Sequence, residues 1–471
     1  MTSGPHDARR RRLLQALGMA TALQGCAPRS ADPPPPAAFE PGKPLPWINW
    51  AGNQSCRPAV RAAPQSEAEM AETLRRAKGV VRAVGSGHSF SAVVPTDDTL
   101  VSADLLSGLI GHDADTLQAE VWAGTRLHDL GAMLAQIGQS MPNQPDVDYF
   151  ALGGAIANCA HATGVQFRSM SANVAGLTLA TPSGELIECG PDRRPEIFQA
   201  ARVSLGALGV LTRVRLQNQA AFRATETDRV EKTEEVIEDL PARLARHRHF
   251  EFLPLPNSEL CLTVTTELAK PGDEDSGEDD PKALLTLRRI FEAVNWLPYG
   301  EAIYDALLKA AMGSAASTVR TGPSHEIFPH VRMVRFREME YAIPAAAAAP
   351  CVREILGAVR SRGLRVCIPL EVRFVRAEDA WLSMFEGRDS CTVSVHEYAD
   401  KDHRPYFDQI EPIFWKYDGR PHWGKLHTLE ARRLAGLYAR HWADFQEVRS
   451  ALDSQGRMLN AHLRAVLGVP A

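Results

Sequence analysis

Two glycines flank a serine and run into a histidine and a second serine, Gly85-Ser86-Gly87-His88-Ser89, directly after the β-branched run Val80 to Val84. Glycines let the chain turn sharply and bring N–H groups close to an anion, and the serine hydroxyls add donors, so a pyrophosphate is the natural guest. Leu152 to Gly164 has small residues at nearly every position, with Gly153-Gly154 near its start and His161, Thr163 and Gly164 at its end. Something flat or anionic can approach such a backbone closely, although a small-residue packing helix is the plainer alternative. Pro369-Leu-Glu371-Val-Arg373-Phe-Val alternates as a strand does, which sets Glu371 and Arg373 on one face. An acid and a guanidinium so placed can grip a polyhydroxylated molecule from two sides, or form only a surface ion pair. Val393 to Tyr398 alternates likewise, with His396 and Tyr398 together; His396 reads as a site residue or as a core histidine with its partners satisfied.

The Gly85 loop is not a Rossmann fingerprint. That motif needs a third glycine opening a helix, where Phe90 stands, and an acid about 20 residues on. Asp104 does follow the strand-like run Thr99 to Ala103, but Ser91 to Asp98 carries Pro95 and no helical period. The loop resembles instead the first phosphate loop of the vanillyl-alcohol oxidase type (PCMH-type) FAD-binding family, in many members of which the histidine after the glycines is bonded covalently to the flavin; here it would be His88. Leu152 to Gly164 resembles the second flavin contact of that family, usually Gly-Thr-His-Gly-Thr-Gly. His161, Thr163 and Gly164 are retained, while Cys159, Ala160 and Ala162 replace the first glycine, the threonine and the second glycine. An added methyl near the flavin ring can close the path of dioxygen in such enzymes. Ser204-Leu-Gly206-Ala-Leu-Gly209-Val210 resembles the third flavin segment, and all three occur in the family's order.

Several segments narrow the resemblance to the sugar-lactone and alditol oxidase group, which includes D-arabinono-1,4-lactone and L-gulonolactone oxidases. They are Trp47-Ile-Asn-Trp50-Ala-Gly52-Asn53, Val331 to Pro344, the Glu371-x-Arg373 pair, His422-Trp423-Gly424-Lys425 and the terminal run from Tyr438 to Gly468. The resemblance implies an FAD-dependent oxidoreductase acting on a carbinol of a sugar lactone or polyol, with hydride passing to flavin N5 and electrons leaving to dioxygen or another acceptor. Glu371, Arg373, His396 and Lys425 would form the catalytic site, and Glu338 and Glu340 would be structural. The implied cofactor set is Gly85, Ser86, Gly87, His88, Ser89, Gly153, Gly154, His161, Thr163, Gly164, Gly209 and Val210. Two alternatives stay open: an envelope dehydrogenase with a respiratory acceptor, and a non-catalytic carbohydrate-binding lipoprotein on the same fold, for which the altered Cys159–Ala162 stretch is the motive.

These residues need an α+β frame to position them. Ser66 with acids at Glu67 and Glu69 opens a helix running to about Lys78; Leu117–Ala123, Val174–Leu179, Gly184–Ile187 and Val210–Leu216 read as strands, and Leu127–Ile137 as a helix. The expected fold is a two-lobed FAD-binding domain of the vanillyl-alcohol oxidase type over 47–217 and an α+β substrate (cap) domain on an antiparallel sheet over 218–414. A segment over 415–471 completes the site and returns to the first domain. Thr225–His249 reads as charged and helix-prone, Phe250–Thr266 as strand, and Gly272–Asp280 as a solvated acidic loop.

With 471 residues, 45% of them apolar, the chain can bury a large core and should divide into domains. A net charge of -5 and the lack of a basic patch interleaved with aromatics exclude nucleic acid as partner and leave small molecules. Eight scattered cysteines with no Cys-x-x-Cys indicate no metal site and no assignable disulfide. Arg9–Arg12 before a short apolar run resembles a twin-arginine export signal, and Leu23-Gln-Gly-Cys26 a bacterial lipobox over 1–26. A Pro-rich tether over 27–46 follows, so the expected address is the periplasm or cell envelope, with possible lipid anchoring to the membrane at Cys26.

Overall fold

The computed structural model describes residues 43–312 and 317–470. The signal, lipobox and polyproline segments lie outside the described residues.

The first lobe is a three-stranded parallel sheet, in the order Val60–Ala62, Thr99–Ser102, Val81–Val84. Its helix, Glu67–Arg76, starts where the Ser66 hydroxyl accepts from the Glu69 amide (3.2 Å) and the Glu69 carboxylate accepts from the Gln65 amide (2.9 Å). That reciprocal cap satisfies donors the first turn would otherwise leave free, and Met70, Ala71 and Leu74 turn inward below it. The second lobe is a five-stranded antiparallel sheet in the order Leu186–Cys189, Val174–Ala180, Val210–Gln217, Gln118–Trp122, Leu109–Asp113.

The third layer is an eight-stranded antiparallel sheet: Thr318–Pro323, Arg223–Lys232, Leu260–Leu268, His249–Pro254, Glu371–Val375, Ser390–Tyr398, Phe336–Pro344, Arg420–Pro421. Arg223–Lys232 corrects the helix-prone reading of Thr225–His249, since only Thr233–Glu238 and Leu240–Arg246 are helical. The strand is paired on both sides, and its charges are met across it, Glu226 by Arg320 and Glu231 by Arg243. Long-range pairing thus outweighs the local helix preference of a charged run. Within Val331–Pro344 only Phe336–Pro344 is strand.

Register decides what this sheet shows to the rest of the protein. Glu338 lies opposite His396, Glu340 opposite Ser394, Glu371 opposite Ser394 and Arg373 opposite Thr392. Side chains alternate between faces, so these residues share one face while Met339, Tyr341, Ile343, Val393 and Val395 fill the core behind it. The helices Ala348–Ser361 and Arg404–Lys416 pack against each other and add their apolar residues to that core.

The terminal chain returns to the first lobe. Val81 donates to the Arg457 carbonyl (2.7 Å), and Asn460 donates to the carbonyls of Ala92 and Pro95.

Candidate active site

A cleft runs between the polar face of the large sheet and the two smaller lobes, with about 1580 Å³ of unfilled space, part of it open to solvent. One wall is backbone. Val84 to Ser89 supply one stretch, Gly153 to Ala155 a second, and Ser204–Gly206 with Gly209–Leu211 a third. Gly87 takes a φ of +67° at the turn after the strand, which a side chain disfavours. A Cβ on Gly209 (φ +148°) would come 2.3 Å from the Ala180 carbonyl oxygen, whereas one on Gly154 would stand in the open cleft. Among the described residues no protein acceptor is bonded to the amides of Ser86 to Ser89. Free N–H groups along a glycine turn fit a diphosphate, and a long apolar trough beside them fits a flat ring system.

The Ser86 hydroxyl is not part of that offer. It donates to the Tyr149 carbonyl (2.6 Å) and accepts from Arg126 and the Ala151 amide, so it ties the loop to the second lobe rather than pointing at a phosphate. His88 lies against Trp50, with ring centroids 4.2 Å apart and nearly parallel. Burial, with the Lys425 ammonium near, lowers its pKa to about 4 and keeps it a neutral imidazole.

The opposite wall is charged. Arg373 meets Glu251 at 2.5 Å, Glu371 at 3.0 Å and Asp146 at 3.3 Å. Burial pushes Glu371 up to about 7 against the pull of Arg373; burial acts on Asp146 in the same sense, but Arg373 and Arg332 hold it well below the usual range. Lys425 is paired with Glu338, which also faces His396 Nε2 at 3.7 Å. Deeper along the wall, His161 Nε2 meets the Glu340 carboxylate at 2.7 Å. His422 Nδ1 accepts from the Gly424 amide (3.1 Å), and burial lowers its pKa to about 4.

A flat cofactor trough facing a wall of buried acids and bases is an arrangement for redox chemistry on a polar substrate, and the comparisons with known proteins agree with it. Residues 214–466 match the D-arabinono-1,4-lactone oxidase family and residues 58–190 the FAD binding domain family. L-gulono-1,4-lactone dehydrogenase of Mycobacterium tuberculosis is 37% identical over 432 residues, covering 90% of this chain and 99% of that one. The chain belongs to the D-arabinono-1,4-lactone oxidase family. The mouse L-gulonolactone oxidase is 28% identical over 446 residues (89% and 97% of the two chains), and a Streptomyces alditol oxidase 27% over 435 (89% and 98%). Cholesterol oxidase from Brevibacterium sterolicum superposes with a TM-score of 0.71 at 15% identity over 93% of this chain and all of that one, a likeness of fold alone. As a member of this family the protein is an FAD-dependent oxidoreductase, and the trough is where FAD fits.

In this family frame the structure brings most of the sequence-derived residues to one cleft. Gly85, Ser86, Gly87, His88, Ser89, Gly153, Gly154, His161, Gly209 and Val210 line it, as do Glu371, Arg373, His396 and Lys425. Thr163 and Gly164 do not. Thr163 Oγ1 donates to the Phe250 carbonyl (2.6 Å) and accepts from the Phe374 amide (3.2 Å), and the Gly164 amide donates to the Phe374 carbonyl, so the pair stitches the second lobe to the large sheet. The Gly153-Gly154 stretch forms a short helix, Leu152–Ala157, so the packing-helix alternative and the trough wall are the same element. Cys159 keeps a φ of +63°, the left-handed conformation a glycine would take freely. Its sulfur points away from the trough, 3.3 Å from Ser383 Oγ, and Ala162 faces a small separate cavity. Of the three departures only Ala160 lines the trough, where it replaces a larger threonine. Of the three, Cys159 and Ala162 therefore add no side chain to the trough wall.

Glu338 and Glu340, expected to be structural, line the cleft, and so do Asp146, Arg332 and His422. The two glutamates had a signal: acids at alternate positions of a strand whose other positions are apolar. Asp146 follows Gln144-Pro145 in a loop and had none.

Proposed function

We propose that this protein oxidises a primary or secondary alcohol of a sugar lactone or polyol. The observation that carries the reading is the Arg373 cluster: buried carboxylates on a guanidinium, facing a flat cofactor trough, suit a dense set of hydroxyls and a ring oxygen. Glu371 accepts from substrate hydroxyls or, protonated near neutral pH, donates to a lactone oxygen. Arg373 and Lys425 hold positive charge on that side, which steadies negative charge developing as the carbinol is oxidised. FAD, when bound, accepts the hydride. The sheet face excludes bulk water and fixes the carbinol against the trough. Anaerobic mixing with L-gulono-1,4-lactone, D-arabinono-1,4-lactone and xylitol should bleach the flavin with at least one of them. Glu371→Gln should retain FAD and slow that bleaching about 100-fold or more; full-rate reduction would remove Glu371 from the mechanism.

A dehydrogenase reading of the acceptor is suggested by the name of the 37% identical relative, an oxidase reading by the names of the mouse and Streptomyces relatives. Cys159 and Ala162 face away from the trough, so Cys159→Gly is expected to leave the ratio of peroxide formed to dye reduced unchanged. A marked rise in peroxide would place the block at Cys159. Against the non-catalytic alternative stands the family itself, whose named relatives are oxidases and dehydrogenases.

The proposal includes a covalent bond between His88 and the flavin. A neutral imidazole held against Trp50 at the end of the diphosphate loop has the lone pair such a bond needs. Acid precipitation should give a yellow pellet whose colour is lost in His88→Ala; a white pellet from the wild type with FAD in the supernatant would refute the link. Export with anchoring at Cys26 completes the proposal, and fractionation of cells expressing Cys26→Ser tests it: the variant should leave the membrane fraction.

A further inference from the structure

Oxidising a carbinol releases a proton as well as a hydride, and the cleft must contain a group with a free lone pair to take it. Both ring nitrogens of His161 face acceptors, Nδ1 the Ala162 carbonyl at 3.0 Å and Nε2 the Glu340 carboxylate at 2.7 Å, so neither offers a lone pair to substrate. His422 uses its Nδ1 lone pair on the Gly424 amide and presents only an N–H. Lys425 is an ammonium paired with Glu338. His88 is stacked on Trp50 at the diphosphate loop, and in the reading above its lone pair is taken by the bond to the flavin.

His396 is different. Its Nδ1 lies 3.2 Å from the Pro369 carbonyl, and a carbonyl can only accept, so Nδ1 carries the hydrogen and Nε2 the lone pair. Nε2 stands 3.7 Å from a Glu338 oxygen, too far for a direct hydrogen bond and near enough to stabilise a positive ring. A ring nitrogen of His396 and one oxygen each of Glu338 and Glu371 lie within 4.8 Å of one another, and all three residues line the cleft. The edge of Phe336 closes the ring's other side, with centroids 5.1 Å apart and planes perpendicular. The groups that face His396 are therefore Glu338 from the neighbouring strand, Glu371 from the strand on the other side, Lys425 from the terminal segment, and the uncharged Phe336 and Pro369.

We propose that His396 Nε2 is the proton acceptor of the reaction. The carbinol O–H bond breaks and an Nε2–H bond forms, while the C–H hydride goes to FAD, so the substrate loses two electrons and two hydrogens and becomes a carbonyl compound. The imidazolium is held by Glu338, whose charge Lys425 shares, and later gives its proton to water entering the cleft. Burial lowers the pKa of His396, but Glu338 and then Glu371 outweigh it and raise it, which makes the neutral ring a stronger acceptor for the carbinol proton. Glu371 is the competitor, but one of its oxygens is committed to Arg373 at 3.0 Å.

This inference rests on the alcohol-oxidising reading above, and the test separates the two. Stopped-flow flavin reduction by a lactone or alditol should rise about tenfold per pH unit at low pH and level off above the His396 pKa. His396→Asn keeps a donor for Pro369 and removes the base. It should retain FAD, lose that rising limb and reduce its flavin about 100- to 10,000-fold more slowly. His396→Ala should regain rate with added imidazole in proportion to the unprotonated fraction of the imidazole. In holoenzyme labelled with 13C at histidine Cε1, the resonance missing from His396→Asn should titrate at the pH of the kinetic limb. A limb that persists in His396→Asn and vanishes in Glu371→Gln would overturn the proposal and give the role to Glu371. No reduction of the wild type by any aldonolactone or alditol would instead overturn the reading on which it rests.

Discussion

Replacing Arg373 by methionine is expected to destabilise the folded holoenzyme by about 3–5 kcal/mol at pH 8, the scale for removing one partner from a buried ion pair. Methionine restores the aliphatic volume, so the loss measures the charge. Three carboxylates, Glu251, Glu371 and Asp146, contact this guanidinium in a buried site. The pH dependence follows from two of them. Glu371 is held at about 7 when folded, above an unfolded carboxylate, so its contribution is fully present below the unfolded value and is lost as pH rises through about 7. Asp146 is depressed, so its contribution is present above the unfolded value and is lost as pH falls. Without Arg373 both acids move upward: the Asp146 contribution shrinks, the Glu371 loss deepens, and both effects are larger at pH 8 than at pH 5, where the orphaned acids take up protons. Urea unfolding of wild type and variant at the two pH values checks this. An equal loss at both would assign the effect to packing of the arginine stem and leave the carboxylates indifferent to their partner.

The same cluster shows what was legible beforehand and what was not. Glu371 and Arg373 could be put on one face because strand alternation is a local rule, and the cofactor trough could be found because glycine turns after strands are local too. That Glu251 and Asp146 converge on Arg373 depends on register across the sheet and on a loop from another lobe, and neither is written in any short window of the chain. Thr163 illustrates the reverse error. It sits inside the most recognisable flavin stretch, yet its hydroxyl bonds Phe250 and Phe374, because a chain threading between a cofactor and a sheet must satisfy polar groups on both sides. Arg223–Lys232 shows the third kind of limit: its composition favours a helix, and two neighbouring strands make it a strand.

Arg82 lies three residues before the diphosphate loop and is almost fully buried, with four backbone carbonyls as its partners. Its guanidinium donates to Val93 (2.7 Å), Leu205 (2.6 Å), Gly206 (2.9 Å) and Met458. Those carbonyls belong to the chain after the first cofactor loop, to the third cofactor segment and to the terminal run. One side chain thus sets the spacing of three segments that are distant in sequence, two of which form the trough. Burial lowers its pKa to about 9, with only Asp453 opposing, so the charge is held at a cost that the four hydrogen bonds offset. Arg82→Met would leave four buried acceptors without donors, at about 1–3 kcal/mol for each one that water cannot reach. The expected result is therefore a protein close to unfolding, and in the molecules that remain folded the terminal segment comes loose. Hydrogen exchange at Val81, whose amide donates to the Arg457 carbonyl, and at Met458, bonded to Asp453, should quicken by orders of magnitude, and FAD should be retained poorly. Arg82→Lys should not rescue it, because an ammonium has three donors on one atom and cannot span four carbonyls set around a planar fork. If Arg82→Lys holds FAD and protects Met458 as the wild type does, the positive charge alone organises the trough, and the fork geometry does not matter.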